Sequence, residues 1–531
     1  MADRFEVAVE REVAVAMPDG VELFTDVYHP VDAGRCPTLV TRCPYGRAMF
    51  TPAARVYAEH GYHVVLQDCR GTAPSKGEPS VFAEASDGRA TGDWIARQPW
   101  FDGRLGADGG SYLGFTALAF ASTRPPYLKA LSLQVFAADR AAAWFPGGSF
   151  ALDLALSWSQ IRVATRDGGL DMTDLPKLAA SMKEMAQRLE RGFSHLPLGE
   201  ADRIATGETL PWFQDWLAHA DPRDPFWKAL DHRELLPALG LPTLLVDGWY
   251  DYQVPHMLED YRRLREAGVP TRLVVGPWTH PTLDPTVVQP ESLAWFDTHL
   301  KGLPPPRRGG DVRVFVLPDA GWRELPDWPP RAAARRWWLQ PESRLATAPP
   351  PASAPDRYTY DPADPTPAFG GTSLRMAPHS GPVDNRPLEA RADVLAYTSE
   401  PLAEPLELLG PVAAELFVRS STPHTDFFVR LCDVHPDGRS INVCDGLLRL
   451  RPGAPAPGPD GTLALRVPLW DTAYRFAPGH RLRVQVSSGA HPRYVRNLGS
   501  GEPLATARTL VAAQQQVFHD PARPSALVLG G

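Results

Sequence analysis

Cysteine is scarce in this sequence: Cys36, Cys43, Cys69, Cys432 and Cys444 are the only five in 531 residues. Their number is odd and no two form a CxxC pair, so neither a disulfide framework nor a zinc-binding spacing is indicated. A basic surplus is also missing. Lysine and arginine total 54 against 62 aspartates and glutamates, a net charge of −8, which argues against a nucleic-acid surface. No long run of like charge marks a tail. Long apolar runs are absent too, and no stretch reaches the ~20 residues of a membrane span. The N-terminal "MADRFEVAVEREVAVAMPDG" threads charges through its apolar residues, unlike a secretory signal. What is present, 44% hydrophobic and 22% charged residues, is the profile of a globular chain expected in the cytoplasm. Its length points to two or three domains.

The opening segment reads as β structure. "FEVAVEREVAVAM" alternates apolar and polar residues, Asp19-Gly20 supplies a turn, and "VELFTDVYHP" returns. Strands of the fully buried type then follow, "PTLVTR" (37–42) and "YHVVLQD" (62–68). The stretches at 90–100 and 111–122 are helical, and further strands fall at 129–136, 242–248 and 271–278. Such alternation predicts an α/β fold with a mainly parallel sheet covered by helices. The strand signal stops between 141 and 240, which reads as an inserted helical cap. Residues 1–140 and 241–303 are therefore expected to form one discontinuous domain. "HLKGLPPPRRGG" (299–310) has linker composition. Beyond it, 304–531 carries short strands, beginning with "VRVFVL" and including "TDFFVRLCDV" and "HRLRVQVSS", with Pro/Ala-rich loops at 346–356 and 452–460. This pattern predicts a β-sandwich of the jelly-roll kind.

Chemistry is suggested by "GADGGSYLGF" (106–115), which crowds glycines around Ser111 where a predicted strand meets a predicted helix. Small neighbours allow a sharp turn that exposes a hydroxyl, the nucleophile elbow, although the glycine after the serine comes one position late and the strand before it is weak. By itself the segment is equally compatible with an ordinary glycine-rich loop. A serine needs a base, and the base needs an orienting acid. Asp251 and His280 lie just past the ends of two later strands, where groups collect in an open α/β sheet. The order Ser111, Asp251, His280 is also the one α/β-hydrolases use. Asp247, at the strand end itself, is an alternative acid, and His256 and His299 read as ordinary helix or surface residues. An oxyanion would be met by the N–H of Tyr112 and by a loop after an early strand, "TRCPYGRA" (41–48). There Tyr45, on the residues alone, reads first as a residue that packs against the loop.

Together "PYGR", "LQDCRGTAPSKGE", "GGSYLG", "DGWYD" and "GPWTH" resemble the cocaine esterase-type (CocE/NonD) family of serine hydrolases, related to X-Pro dipeptidyl-peptidases and α-amino acid ester hydrolases. Segments at 322–330, 431–449 and 479–497 resemble that family's C-terminal jelly-roll domain. The resemblance implies an α/β-hydrolase fold with Ser111 as nucleophile, His280 as base and Asp251 orienting it. Tyr45 through its hydroxyl and Tyr112 through its N–H would form the oxyanion hole. Trp144 and Trp158 would wall an acyl pocket, or simply form the core of the cap. Gln253 stands where the type member has a phenylalanine, so a benzoyl pocket would lose an aromatic wall. The ammonium-binding carboxylates of the amino acid ester hydrolases are not identifiable. No cofactor and no metal are implied, and the partner expected is a small ester or amide. Assembly into a homo-oligomer is left open, as are two alternatives: an X-Pro peptidase, and a catalytically silent binding protein.

Overall fold

Where the sequence packs apolar residues without alternation, the computed structural model places strands buried along their whole length, as at His63–Asp68 and Thr243–Tyr250. It describes residues 4–72, 74–79, 81–166, 175–451 and 455–530. The first three residues of the 452–460 loop lie outside that set.

Ten strands form the first sheet, in the order Val7–Ala16, Glu22–Pro30, His63–Asp68, Cys36–Cys43, Phe101–Gly110, Leu128–Gln134, Thr243–Tyr250, Thr271–Thr279, Val312–Val316 and Gly321–Leu325. From His63–Asp68 to Val312–Val316 every neighbouring pair is parallel. The first two strands and the last add antiparallel edges. Helices Thr51–Glu59 and Pro285–Lys301 pack through Tyr57 and Phe296 into one apolar cluster, and Tyr112–Ser122 and Val254–Glu266 pack through Phe115 and Tyr261 into another. Covering of both faces is what removes the in-out alternation from the central strands. Between the adjacent parallel strands Leu128–Gln134 and Thr243–Tyr250 the chain makes a detour whose described residues form helices and no strand, including Leu152–Arg166, Leu175–Ser194 and Pro211–Ala218. Trp144, Trp158, Trp216 and Trp227 of this detour are buried, and Trp216 stacks on Trp144 with ring centroids 4.1 Å apart.

The C-terminal part is a β-rich domain built on a second sheet, whose longest ladder pairs Leu406–Ser420 with Leu463–Phe476. One expectation is corrected here. The strand at Val312–Val316 ("VRVFV") belongs to the first sheet, parallel to Thr271–Thr279, with Gly321–Leu325 as its hairpin partner. The second sheet starts at Arg335–Gln340. Alternation reports that one face is buried, not which sheet does the burying. The two parts are locked together: Arg262 of helix Val254–Glu266 donates to Asp471 of the second sheet's domain at 2.9 Å, and Trp328 Nε1 donates to the same carboxylate at 2.9 Å. Arg375 pairs with the buried Asp153 of the helical insertion at 2.9 Å. Among the described residues no helix is long and apolar enough to cross a membrane.

Candidate active site

Ser111 sits between strand Phe101–Gly110 and helix Tyr112–Ser122, with φ 57° and ψ −122°. A non-glycine residue in that region is strained, and such strain is held only where the surroundings over-determine it. Here the Ser111 N–H donates to the Gln134 carbonyl at 2.8 Å, and the Ser111 carbonyl accepts from Phe115 N–H at 3.2 Å. The helix turns back so tightly that a Cβ on Gly109 would lie 2.4 Å from the Leu113 carbonyl. That close approach explains a glycine two residues before the serine.

The strand ends deliver the other two groups. Asp251 follows Thr243–Tyr250 and is fully buried. Its Oδ1 accepts from Gln253 N–H at 2.6 Å, which leaves Oδ2 for the imidazole. His280 follows Thr271–Thr279 and opens a short turn fixed by reciprocal bonds between Thr279 and Thr282. His280 Nδ1 lies 2.6 Å from Asp251 Oδ2, and Nε2 lies 3.0 Å from Ser111 Oγ. A carboxylate on Nδ1 puts the proton there and leaves Nε2 with a lone pair facing the hydroxyl. Asp247 has no such contact. Its Oδ1 accepts from Gly248 N–H at 2.7 Å and its Oδ2 is unpartnered. Burial, reinforced by nearby Asp251, pushes its carboxyl well above the usual range. His256 and His299 lie in helices away from this chain of contacts.

Tyr45 is partly buried against the aromatic core, its ring centroid 6.5 Å from that of Tyr112. Its hydroxyl accepts from Trp158 Nε1 at 2.8 Å. A phenol that accepts through its oxygen keeps its own proton to donate. Burial pushes that phenol further up, so it stays protonated. The loop bearing it is gripped from the insertion by the buried Arg162, which donates to the Pro44 carbonyl. Tyr112 is the first residue of its helix, so its N–H has no intrahelical acceptor. Its phenol points elsewhere, accepting from Phe82 N–H at 2.8 Å.

Trp144, Trp158 and Gln253 meet Ser111 around one small cavity of about 20 Å³. The sequence-derived residues therefore come together. Three neighbours were not anticipated. Tyr252 stacks on the His280 ring at 4.6 Å and brings its hydroxyl to 3.3 Å from Nε2, and its place beside Asp251 is the signal that pointed to it. Arg140 lines the same cavity, and a lone cation in "VFAADRAAAWF" was its sequence trace. Arg162 had none. Among the described residues one group could hold a metal, Asp433, His435 and His480 in the second sheet's domain, where Asp433 already accepts from Tyr474 and His480.

Comparison with known proteins agrees along the whole chain. Residues 19–282 match the X-Pro dipeptidyl-peptidase (S15) family, and residues 307–528 match the X-Pro dipeptidyl-peptidase C-terminal non-catalytic domain. Cocaine esterase of Rhodococcus sp. (strain MB1 Bresler) is 34% identical over 98% of each chain. A solved α-amino acid ester hydrolase superposes with a TM-score of 0.83 at 25% identity, covering 100% of this chain and 97% of its own. A CocE/NonD family hydrolase from Staphylococcus aureus shares the fold with a TM-score of 0.68 at 18% identity, covering 99% and 94%. The chain belongs to the cocaine esterase-type family of serine hydrolases and is an enzyme of the serine esterase kind.

Proposed function

We propose that this enzyme cleaves carboxylic esters through an acyl-enzyme on Ser111. The observation that carries the reading is the unbroken contact series Asp251–His280–Ser111, at 2.6 and 3.0 Å, ending on a serine held in a strained turn. His280 Nε2 takes the Ser111 proton as Oγ attacks the carbonyl carbon, and Asp251 stabilises the imidazolium. The electron pair moves onto the carbonyl oxygen, where the Tyr45 O–H and the Tyr112 N–H receive it. When the tetrahedral species collapses, the C–O bond to the alcohol breaks and His280 returns its proton to the departing oxygen. Water then repeats the sequence and releases the acid. The insertion at 141–240 acts as the cap, with Trp144 and Trp158 as the apolar walls of the acyl side. Gln253 narrows it.

The related family name raises the cleavage of X-Pro peptides as a second reading. Removal of an N-terminal dipeptide calls for carboxylates to hold the substrate ammonium. Among the described residues lining the cavity beside Ser111 there is no carboxylate, and there is an arginine. That composition supports the ester. The test is turnover of p-nitrophenyl acetate beside Gly-Pro p-nitroanilide, with Ser111→Ala as control. Ester hydrolysis abolished in Ser111→Ala is expected. Activity surviving in that variant would remove Ser111 as nucleophile, and turnover of the anilide alone would replace the esterase reading by the peptidase.

A further inference from the structure

The cavity beside Ser111 contains a charge that an aromatic acyl pocket does not need. Arg140 opens the short helix Arg140–Trp144 and is 5% exposed. Its Nε and Nη2 both donate to one acceptor, the Ala137 carbonyl, and its guanidinium lies 5.0 Å from the Phe136 ring centre. Among the described residues no carboxylate forms an ion pair with it. The acids nearest to it are otherwise engaged. Asp139 pairs with Arg233 at 3.0 Å and caps Ala142 N–H at 2.9 Å, and Asp260 accepts from Ala138 N–H at 2.8 Å.

A buried cation without a partner is costly, by several kcal/mol in typical proteins. Folding energetics alone give no reason to keep one. Two more groups lining this cavity are buried and unpartnered, the indole Nε1 of Trp144 and the amide Oε1 of Gln253. Guanidinium and indole N–H are both donors, and together they match the two oxygens of a carboxylate.

The side of the substrate that meets them follows from the catalytic geometry. The leaving alcohol must reach His280 to collect its proton, and His280 does not line this cavity. The cavity therefore holds the portion that stays on Ser111. The cavity is small and walled by Phe82, Trp144, Leu154 and Trp158, which favours a short chain there. We infer that the acyl group this enzyme prefers ends in a carboxylate: the substrate is a half-ester of a short dicarboxylic acid, with its ester carbonyl at Ser111 and its free carboxylate on Arg140.

This inference rests on the esterase reading, and the experiment separates the two. The substrates are ethyl hydrogen succinate, its neutral isostere ethyl succinamate, and ethyl butyrate, with ethanol release as the readout. For the unmodified enzyme kcat/KM is expected to be about 10- to 100-fold higher for the half-ester than for the succinamate, the discrimination a charge-assisted hydrogen bond provides. In Arg140→Gln the ratio should fall to about one, and in Arg140→Lys it should stay above one. Because the readout is a ratio within one protein, a general loss of activity does not imitate it. Should Arg140→Gln not fold, inhibition of the unmodified enzyme by succinate against succinamate carries the same comparison. A ratio of one or less in the unmodified enzyme, or an unchanged ratio in Arg140→Gln, overturns the inference while leaving the esterase intact. Inactivity toward all three esters and p-nitrophenyl acetate overturns both.

Discussion

Removal of the Tyr45 hydroxyl is the sharpest perturbation of the proposed oxyanion site, because its geometry separates catalysis from packing. The phenol oxygen accepts from Trp158 Nε1 at 2.8 Å, so its proton is free to point at the developing charge. Tyr45→Phe keeps the ring and its contact with Tyr112 but deletes the donor. Loss of one of two oxyanion donors costs on the order of 10²–10³ in kcat, or about 2.7–4 kcal/mol of barrier. KM should change little, since a neutral carbonyl gains far less from that bond than a tetrahedral oxyanion does. The substitution also strands the Trp158 N–H, at a stability cost of about 1–3 kcal/mol. Thermal unfolding should therefore register the change independently. Steady-state hydrolysis of p-nitrophenyl acetate measures the first effect. A kcat within about threefold of the unmodified enzyme would refute the reasoning and return Tyr45 to a packing role. Trp158→Phe is the companion, retaining the hydroxyl while removing its anchor, with an expected loss of about tenfold.

Three further perturbations test other parts of the site. Gly109→Ala places a Cβ 2.4 Å from the Leu113 carbonyl, whereas a Cβ on Gly110 meets nothing closer than 3.5 Å. The first should destabilise by about 1–3 kcal/mol and displace Ser111, the second should do markedly less, and melting with activity assays on both checks the order. Asp251→Asn is expected to lower kcat on the order of 10⁴ by leaving the imidazole in the wrong tautomer, with the fold intact by circular dichroism. Asp108 donates no proton in the scheme but is held by Tyr57 O–H and Gln134 N–H, both at 3.1 Å, and burial pushes its carboxyl up to about 6. The native state then binds more protons than the unfolded one between about pH 4 and 6, so this group's contribution falls as pH rises through that window. Asp108→Asn should raise the melting temperature more at pH 8 than at pH 4, and an equal change at both would contradict the assignment.

The proposed triad was legible because Ser111, Asp251 and His280 stand at strand ends in hydrolase order, and because strands such as "TLLVDGWY" announce themselves by apolar content. The strand that leads into Ser111 was the faintest of all. Phe101–Gly110 is rich in small residues because its neighbours press on it: a Cβ on Gly106 would lie 2.7 Å from the Phe296 ring and 2.8 Å from Leu39. Close packing thus erased the hydrophobic signal where the sheet is most central. The strand Val312–Val316 was visible, yet its allegiance depended on partners distant in sequence. Arg140 was hidden for a different reason. A single arginine in an apolar run reads the same whether it reaches solvent or turns inward, and only the folded chain places it beside Ser111.

The central claim is that residue 111 carries an activated alcohol. Incubation with a fluorophosphonate followed by peptide mass spectrometry interrogates it directly, because an unactivated serine reacts slowly with such a reagent. The expected result is one adduct per chain on the peptide containing Ser111, absent in Ser111→Ala and strongly slowed in His280→Ala. An adduct on a different residue, or none under conditions that label a known serine esterase, would contradict the account.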